Sequence, residues 1–250
     1  MIRILLAAIW VIAFLIISIP IQLIELLVGL FSKRARAVSS QAIVNFAFRG
    51  VLFFAGTKVI VKGRDLVPKD EAVLFVPNHR SIFDVVITYP LSGGPTAFVA
   101  KREIEKVPLL SYWMKLMDCQ FLDRSDLRKG LKVILKCADL VKAGTNVTIF
   151  PEGTRNKTDE DLQPFRDGAL KIAEKSNCPI VPIAINNTEQ IFEDHLPFLK
   201  RTTVTVEYCK PIYTKDLSKE EKKELSSMVR TEILEAYRAN KELIPNKKRA

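Results

Sequence analysis

From residue 58 onward, short apolar runs alternate with stretches of helical periodicity, and few folds other than a layered α/β sheet accommodate that alternation. Seven runs are rich in β-branched and aromatic residues and are bounded by Gly, Pro or polar residues, which is typical of buried strands. They are Val59–Val61, Val73–Val76, Thr96–Ala100, Gln120–Leu122, Val147–Phe150, Ile180–Ile185 and Val204–Tyr208. The pattern predicts an α/β domain, a layered sheet flanked by helices, with its chemistry at strand ends.

Three further patterns predict helices in the same region. Apolar residues recur at helical spacing across residues 126–144, and a second helix is predicted over residues 167–176. Ser218 and Glu221 have the spacing of a capping box, which predicts a final helix that runs to about Tyr237. Each helix lies between two candidate strands or after the last one, as a layered α/β fold requires.

A long apolar segment precedes the α/β region. Ile4–Ile24 has 21 residues and no charge, and as a helix it would be about 32 Å long, enough to cross the hydrocarbon of a bilayer. Pro20 lies inside the segment and Glu25 follows it. Lys33, Arg34 and Arg36 predict that the following chain lies on the cytoplasmic side of the membrane.

A second apolar helix is predicted over Ser40–Phe54, where Gln41, Asn45 and Arg49 form one narrow polar stripe. One arrangement is a hairpin that dips into one leaflet, with the stripe turned towards headgroups or towards the first helix. A single span followed by an interfacial helix fits the residues almost as well. In both arrangements residues 1–56 are membrane-associated helices.

The formal charge of +10 is concentrated near the N-terminus. Residues 1–62 hold seven Lys or Arg residues and a single acidic residue, Glu25, so they carry +6 of the net charge. A further basic cluster ends the chain at residues 247–250. Basic charge beside an apolar segment indicates an anionic membrane surface as the partner, rather than nucleic acid.

One of the two histidines comes directly after a candidate strand. His79 lies on the predicted strand-to-helix turn, and Asp84 lies in the first turn of the helix, where it can fold back towards the imidazole. A carboxylate on one ring nitrogen fixes the tautomer and supports the imidazolium, which leaves the other nitrogen as a general base. The alternative is that His79 is a polar turn residue and that Asp84 only caps the helix.

The segment F-P-E-G-T-R at residues 150–155 ends another candidate strand with a turn suited to an anion. Gly153 lets backbone amides approach a ligand closely. Thr154 adds a hydroxyl donor, and Arg155 adds a planar fork of donors that matches phosphate oxygens. Glu152 is the exception because a carboxylate repels phosphate, and we expect it to pair with an Arg or Lys.

Both blocks resemble the glycerolipid acyltransferases, in particular the bacterial 1-acylglycerol-3-phosphate acyltransferases. N-H-R-S-I-F-D is similar to the HX4D motif of that family, in which the histidine is the general base and the aspartate orients it; these roles would fall on His79 and Asp84. F-P-E-G-T-R matches the family signature without departure. The resemblance implies a glycerolipid acyltransferase domain over residues 57–250 and an N-terminal two-helix anchor. We expect Glu152 also to accept a hydrogen bond from the glycerol backbone of the substrate.

Two more basic residues stand at strand ends. Lys101 follows the strand candidate T-A-F-V-A, and Arg124 follows C-Q-F-L-D. In the resembled family such a lysine often contacts the substrate phosphate, and a hydrophobic-Asp-Arg block is similar to the second segment. The alternatives are a solvated surface position for Lys101 and local pairing of Arg124 with Asp123 or Asp126.

Proline at position 182 lies inside the apolar run I-V-P-I-A-I. Because proline is poorly tolerated in central ladders, Pro182 predicts a sheet edge, a bulge or a close ligand approach. The resembled family has a hydrophobic-Pro block here that is associated with the acyl donor, and Ala184 stands where the commoner pattern has a second proline. Val181 and Ile183 are predicted to be core residues.

The resemblance implies transfer of a fatty acyl group from acyl-CoA or acyl carrier protein to the sn-2 hydroxyl of 1-acylglycerol 3-phosphate (lysophosphatidic acid), forming phosphatidic acid. The expected partners are this lipid, the acyl thioester, acyl carrier protein if it is the donor, and an anionic bilayer. No metal or resident cofactor is expected, since a thiolate leaves readily and the histidine moves the proton.

Three other functions are compatible with the residues. The same chemistry could act on glycerol 3-phosphate or another lysophospholipid, and an acceptor panel separates these. A hydrolase would activate water instead of an alcohol and would release free fatty acid without an acceptor. A non-catalytic anionic-lipid tether would need only the basic, apolar N-terminal segment.

Overall fold

A computed structural model describes residues 1–243; the basic cluster at residues 247–250 lies outside the described residues. The strands are β1 (Lys58–Lys62), β2 (Leu74–Pro77), β3 (Thr96–Lys101), β4 (Gln120–Leu122), β5 (Asn146–Thr148), β6 (Pro179–Asn186), β7 (Thr203–Tyr208) and β8 (Ile212–Tyr213). All seven predicted strands are present. The two-residue strand β8 was not predicted.

The helices are α1 (Ile2–Ile17), α2 (Ile19–Phe31), α3 (Lys33–Ala55), α4 (Phe83–Thr88), α5 (Leu110–Leu116), α6 (Leu127–Lys142), α7 (Asp167–Ser176), α8 (Lys219–Lys223) and α9 (Leu225–Leu243). The predictions for α6 and α7 are confirmed. The predicted capping box is present, with reciprocal hydrogen bonds between Ser218 and Glu221. The helix that it starts is short, however, and α9 follows it and extends beyond Tyr237.

Within the described residues the strands form one mixed sheet in the order β1-β7-β6-β2-β5-β3-β4, with β8 beside β6. Buried residues of α6, α7 and α9 form a core with one set of strand side chains, and residues of α3 and α4 pack with the opposite set. The chain is therefore a helix–sheet–helix layered α/β fold, and the predicted fold class is confirmed.

The topology brings four strand ends together. β2 pairs with β5, β5 with β3, and β3 with β4, all in parallel. Parallel neighbours end at the same edge of a sheet, so the turns after these strands open side by side. His79, Arg124 and residues 151–155 lie in these turns, and Lys101 is the last residue of β3.

Pro182 lies on a central strand rather than at an edge. β6 pairs with β2 in parallel on one side, and on its other side it changes partner. There β8 pairs at residues 179–180 and β7 at residues 183–186. Pro182 falls in the gap between these two ladders, where a missing N–H costs no regular strand bond. Val181 and Ile183 are buried core residues, as predicted.

The N-terminal helices form an antiparallel hairpin. Helices α1 and α2 meet at a bend of 50° near Pro20 and together run back along α3. Trp10 Nε1 donates to the Ala47 carbonyl at 2.9 Å, and the hydroxyls of Ser39 and Ser40 donate to Glu25. The apolar segment therefore forms two helices rather than one, and the charge of Glu25 is satisfied within the hairpin.

Gln41, the first residue of the predicted polar stripe on α3, faces neither the headgroups nor the first helix. Gln41 is buried against the α/β region, where its amide nitrogen donates to the Gly94 carbonyl at 2.8 Å and its amide oxygen accepts from the Thr96 N–H at 2.8 Å. Trp113 Nε1 likewise donates to the Ser18 hydroxyl at 3.0 Å. The hairpin is thus hydrogen-bonded to the sheet domain.

Helix α3 is long and apolar enough to cross a membrane, and α1 with α2 passes the same test as a bent pair. Their outward faces expose many large apolar side chains, among them Ile9, Leu23 and Phe31. These helices are candidates for a membrane anchor. The division at residues 56 and 57 stays a prediction, because Ala7 and Ala55 share one core with the sheet.

Candidate active site

The turn after β2 brings the predicted histidine and aspartate together. His79 Nδ1 lies 2.8 Å from Asp84 Oδ2. The same carboxylate oxygen accepts the backbone N–H groups of Arg80 at 2.7 Å and Ser81 at 2.8 Å, and its other oxygen accepts the Thr188 hydroxyl. Asp84 is completely buried, so three donors besides the imidazole hold the carboxylate against the ring.

The histidine ring faces a cavity. His79 stacks on Phe150 with ring centroids 4.1 Å apart, and its side chain keeps 18% of its surface exposed. Because Asp84 holds Nδ1, Nε2 is the ring nitrogen that can meet a group in the cavity. A neutral imidazole in this tautomer is a proton acceptor at Nε2.

The cavity has a volume of about 1110 Å³ and two kinds of wall. Most of the lining is apolar, and part of it comes from the N-terminal hairpin, including Val11, Phe14, Val44 and Phe48. The remainder includes His79 and a group of basic side chains, Lys101, Arg124, Arg155 and Arg166. Such a cavity suits an amphiphile that has a long apolar part and an anionic part.

The predicted basic residues line this cavity but differ in their contacts. Lys101 is 54% exposed and pairs with Glu103 at 2.9 Å. Arg155 Nη1 donates to Glu193 Oε1 at 3.0 Å. Burial and the positive charge of Arg166 lower the pKa of Arg124. Arg124 is therefore placed beside a second cation, an arrangement that an anion between them would stabilise.

Gly153 and Thr154 line the cavity as predicted, and Gly153 has a left-handed φ of 74°. A side chain there would also come within 2.8 Å of Arg166 Nε. Glycine therefore permits both the turn and the close approach of this guanidinium. Arg166 is absent from the predicted site, although the segment P-F-R-D-G that contains it lies shortly after the turn.

Glu152 corrects one prediction. Instead of pairing with an Arg or Lys and facing a glycerol hydroxyl, its side chain is buried and accepts two backbone N–H groups, from His79 at 2.7 Å and from Gln163 at 3.0 Å. Burial raises the pKa of Glu152, and the two amides oppose that shift. Glu152 is thus a structural link between the turn of His79 and the loop around Gln163.

Two contacts to the predicted site residues come from a segment without a sequence motif. Thr188 and Glu193 follow β6 and reach Asp84 and Arg155, respectively. These pairs are 104 and 38 residues apart in the chain. Local periodicity and turn patterns carry no information about such contacts, so the sequence offered no signal for them.

The edge of the parallel sheet thus combines a histidine held by a carboxylate, which can act as a general base, with basic side chains that can bind an anion. The family model described as Acyltransferase matches residues 58–186. The match covers about half of the chain and contains both turns. The chain belongs to this acyltransferase family, and the resemblance inferred from the motifs is confirmed.

Individual relatives agree with this assignment. The 1-acyl-sn-glycerol-3-phosphate acyltransferase of Borreliella burgdorferi is 30% identical over 183 residues, which cover 73% of each chain. The probable 1-acyl-sn-glycerol-3-phosphate acyltransferase of Mycoplasma pneumoniae is 33% identical over 184 residues, 68% of each chain. The crystal structure of the 1-acyl-sn-glycerophosphate (LPA) acyltransferase PlsC from Thermotoga maritima matches with a TM-score of 0.67 and 23% identity, covering 88% of this chain and 96% of that one. The last comparison confirms the fold.

Proposed function

We propose that the protein transfers a fatty acyl group from a thioester, acyl-CoA or acyl carrier protein, to the sn-2 hydroxyl of 1-acylglycerol 3-phosphate, forming phosphatidic acid. The observation that carries this proposal is one cavity in which the Asp84-held imidazole of His79 meets both an apolar wall and a basic group. The names of the relatives support the choice of acceptor.

In the proposed reaction His79 Nε2 takes the proton of the acceptor hydroxyl while the oxygen attacks the thioester carbonyl. The C–O bond forms, the C–S bond breaks, and the imidazolium returns its proton to the departing thiolate. Asp84 holds the ring and stabilises the imidazolium throughout. No metal or resident cofactor takes part in these steps.

The basic residues orient the acceptor in this proposal. Lys101, Arg124 and Arg155 bind the phosphate, which places the hydroxyl near the imidazole. Gly153 and Thr154 contribute the close-approaching backbone and a hydroxyl donor. Fixing two reactants in an attacking geometry can contribute roughly 7–11 kcal/mol of barrier reduction, and the apolar wall from α1 and α3 holds acyl chains.

The proposed location is the cell (inner) membrane, with the α/β region on the cytoplasmic face. The apolar outer faces of α1 and α2 would enter the bilayer, and Lys33 and Arg34 would lie near anionic headgroups. Arg36 has another role, since it is bonded to the Leu116 carbonyl and to Asp118.

A product assay tests the proposal. The full-length chain in detergent micelles is incubated with lysophosphatidic acid and either acyl-CoA or acyl carrier protein loaded with the same acyl group, and products are identified by mass spectrometry. Phosphatidic acid is expected with at least one donor and is expected to be strongly reduced in Asp84→Asn. Parallel reactions contain glycerol 3-phosphate, other lysophospholipids, or no acceptor.

Each alternative predicts a different product. Faster acylation of glycerol 3-phosphate or of another lysophospholipid would replace the acceptor assignment. Fatty acid released at the same rate without acceptor would identify a hydrolase. No turnover with any pair of substrates, from a folded protein that still binds anionic vesicles, would favour a lipid tether.

A further inference from the structure

The segment that follows β6 lies beyond the residues matched by the family model and contacts both turns of the site. Thr188 donates to Asp84, and Glu189 lies 3.5 Å from Arg80. Glu193 makes the most extensive contacts of the three. None of these residues lies in a block that the sequence analysis assigned to the site.

Glu193 joins the turn after β2, which carries His79, to the turn after β5, which carries Arg155. Its Oε2 accepts the Ser81 hydroxyl at 2.6 Å, and its Oε1 accepts the Ile82 N–H at 2.9 Å. The same Oε1 accepts Nη1 of Arg155 at 3.0 Å. One carboxylate therefore fixes the start of α4, which carries Asp84, and the guanidinium that faces the cavity.

The geometry of this contact leaves Arg155 able to bind a second anion. A guanidinium has five N–H donors in a planar fork, and Glu193 engages one nitrogen, Nη1. The side chain of Arg155 is 37% exposed and lines the cavity, whereas that of Glu193 is 19% exposed and is not among the lining residues. Glu193 thus holds the guanidinium from behind, relative to the cavity.

We infer that Glu193 is a positioning residue that orients Arg155 towards the phosphate of the acceptor. The inference rests on the proposed function and assigns it a residue outside the known motifs. Without the carboxylate, the long side chain of Arg155 samples other rotamers, and the phosphate is bound less tightly. The opposite model, in which Glu193 competes with the phosphate for Arg155, predicts tighter acceptor binding when the charge is removed.

Steady-state kinetics of the full-length chain in detergent micelles separate these models. Glu193→Gln keeps an oxygen that can accept from Ile82 and removes the charge, and Asp194→Asn is the matched control on the neighbouring residue. We expect KM for lysophosphatidic acid to rise about 10-fold in Glu193→Gln, the low end for a charged hydrogen bond. KM for the acyl donor and kcat stay within about twofold of wild type, because the amide oxygen still accepts the Ile82 N–H at the start of α4 and the Asp84 carboxylate keeps its own partners.

A double-mutant cycle distinguishes positioning of Arg155 from a general structural role of Glu193. In an Arg155→Ala background, Glu193→Gln should raise KM for lysophosphatidic acid no further. Glu193→Asp, which keeps the charge on a shorter side chain, should lie between wild type and Glu193→Gln. This second variant also decides the question if Glu193→Gln does not fold.

Several results would overturn the inference. These are an unchanged or lowered KM in Glu193→Gln, an equal rise with and without Arg155, or a loss confined to kcat. Failure of the proposed function looks different, because wild type then makes no phosphatidic acid. In that case the thermal stabilisation of the chain by lysophosphatidic acid is compared instead, and equal stabilisation of wild type and Glu193→Gln would exclude the positioning role.

Discussion

The turn after β2 and the turn after β5 serve the same cavity but are built differently. In the first, Asp84 is completely buried and accepts four hydrogen bonds. In the second, Arg155 is 37% exposed and is held by Glu193 through one nitrogen. The turn that we propose for proton transfer is thus held by a network of short hydrogen bonds, whereas the turn that we propose for phosphate binding relies on a long side chain. Substitutions in the first turn should lower kcat, and those in the second should raise the acceptor KM.

The largest loss of activity should come from a substitution in the turn after β2. His79→Ala is expected to lower kcat by roughly 10²- to 10⁴-fold, because it removes the general base. Initial rates of phosphatidic acid formation measure this loss. His195→Ala, a substitution of the other histidine, is the control and should retain wild-type turnover. Near-normal kcat in His79→Ala would contradict the mechanism.

The second largest loss of activity should come from a substitution in the turn after β5. Arg155→Ala is expected to lower kcat/KM for lysophosphatidic acid by about 10- to 150-fold, the value of a hydrogen bond to a charged group, mainly through KM. Arg238→Ala removes a guanidinium that pairs with Asp161 on the surface and should leave both constants unchanged. A loss in Arg155→Ala that appears only in kcat would show that the two turns do not divide their roles in this way.

The third substitution tests the link between the two turns. Glu152→Gln should lower the free energy of unfolding by about 1–3 kcal/mol, because the amide cannot accept both N–H groups of His79 and Gln163. Denaturation of the detergent-solubilised chain measures this free energy of unfolding. Glu160→Gln, a substitution of an exposed residue, is the control. An unaltered stability in Glu152→Gln would mean that the two backbone bonds contribute little.

The pH dependence of the same variant has a definite sign. Burial raises the pKa of Glu152 in the folded chain, so the folded state keeps the proton to higher pH than the unfolded state. The stability contribution of this group therefore falls as pH rises through the interval between the two pKa values. The difference in stability between wild type and Glu152→Gln should narrow over that interval, and a widening difference would contradict the assignment.

The smallest loss of activity should come from removing one hydrogen bond to the Asp84 carboxylate. Thr188→Val removes one of four donors to Asp84 and should lower kcat by about 2- to 12-fold, the net value of one hydrogen bond. Thr88→Val is a matched control, since the Thr88 hydroxyl donates to the backbone carbonyl of Asp84 instead of its carboxylate. Equal losses in the two variants would mean that helix α4, rather than the carboxylate, is affected.

Features encoded by neighbouring residues were predictable. Strand β2, the break at Pro77 and the return of Asp84 to His79 all lie within one short stretch, and the structure brings them together at 2.8 Å. The clustering of strand ends followed from parallel topology. Gly153 was assigned for its backbone freedom, and its φ of 74° agrees.

Features that depend on distant partners were not predictable. Glu152 was expected to pair with an Arg or Lys, and the sequence does not show that the backbone amides of His79 and Gln163 bind it instead. Glu193 and Thr188 have no motif because their partners lie on other elements. Gln41 was predicted to face headgroups or the first helix, because the sequence does not show that Thr96 lies beside it in the folded chain.

The cavity wall contributed by Val11, Phe14, Val44 and Phe48 has a practical consequence for handling the enzyme. A shortened version that starts near Lys58 would lose one wall of this cavity and uncover Tyr89 and Trp113, which pack with that wall. Purification strategies should therefore keep the hairpin and supply an amphiphile for its outer surface. Redesign for aqueous solubility should be confined to outward positions such as Ile9 and Leu23.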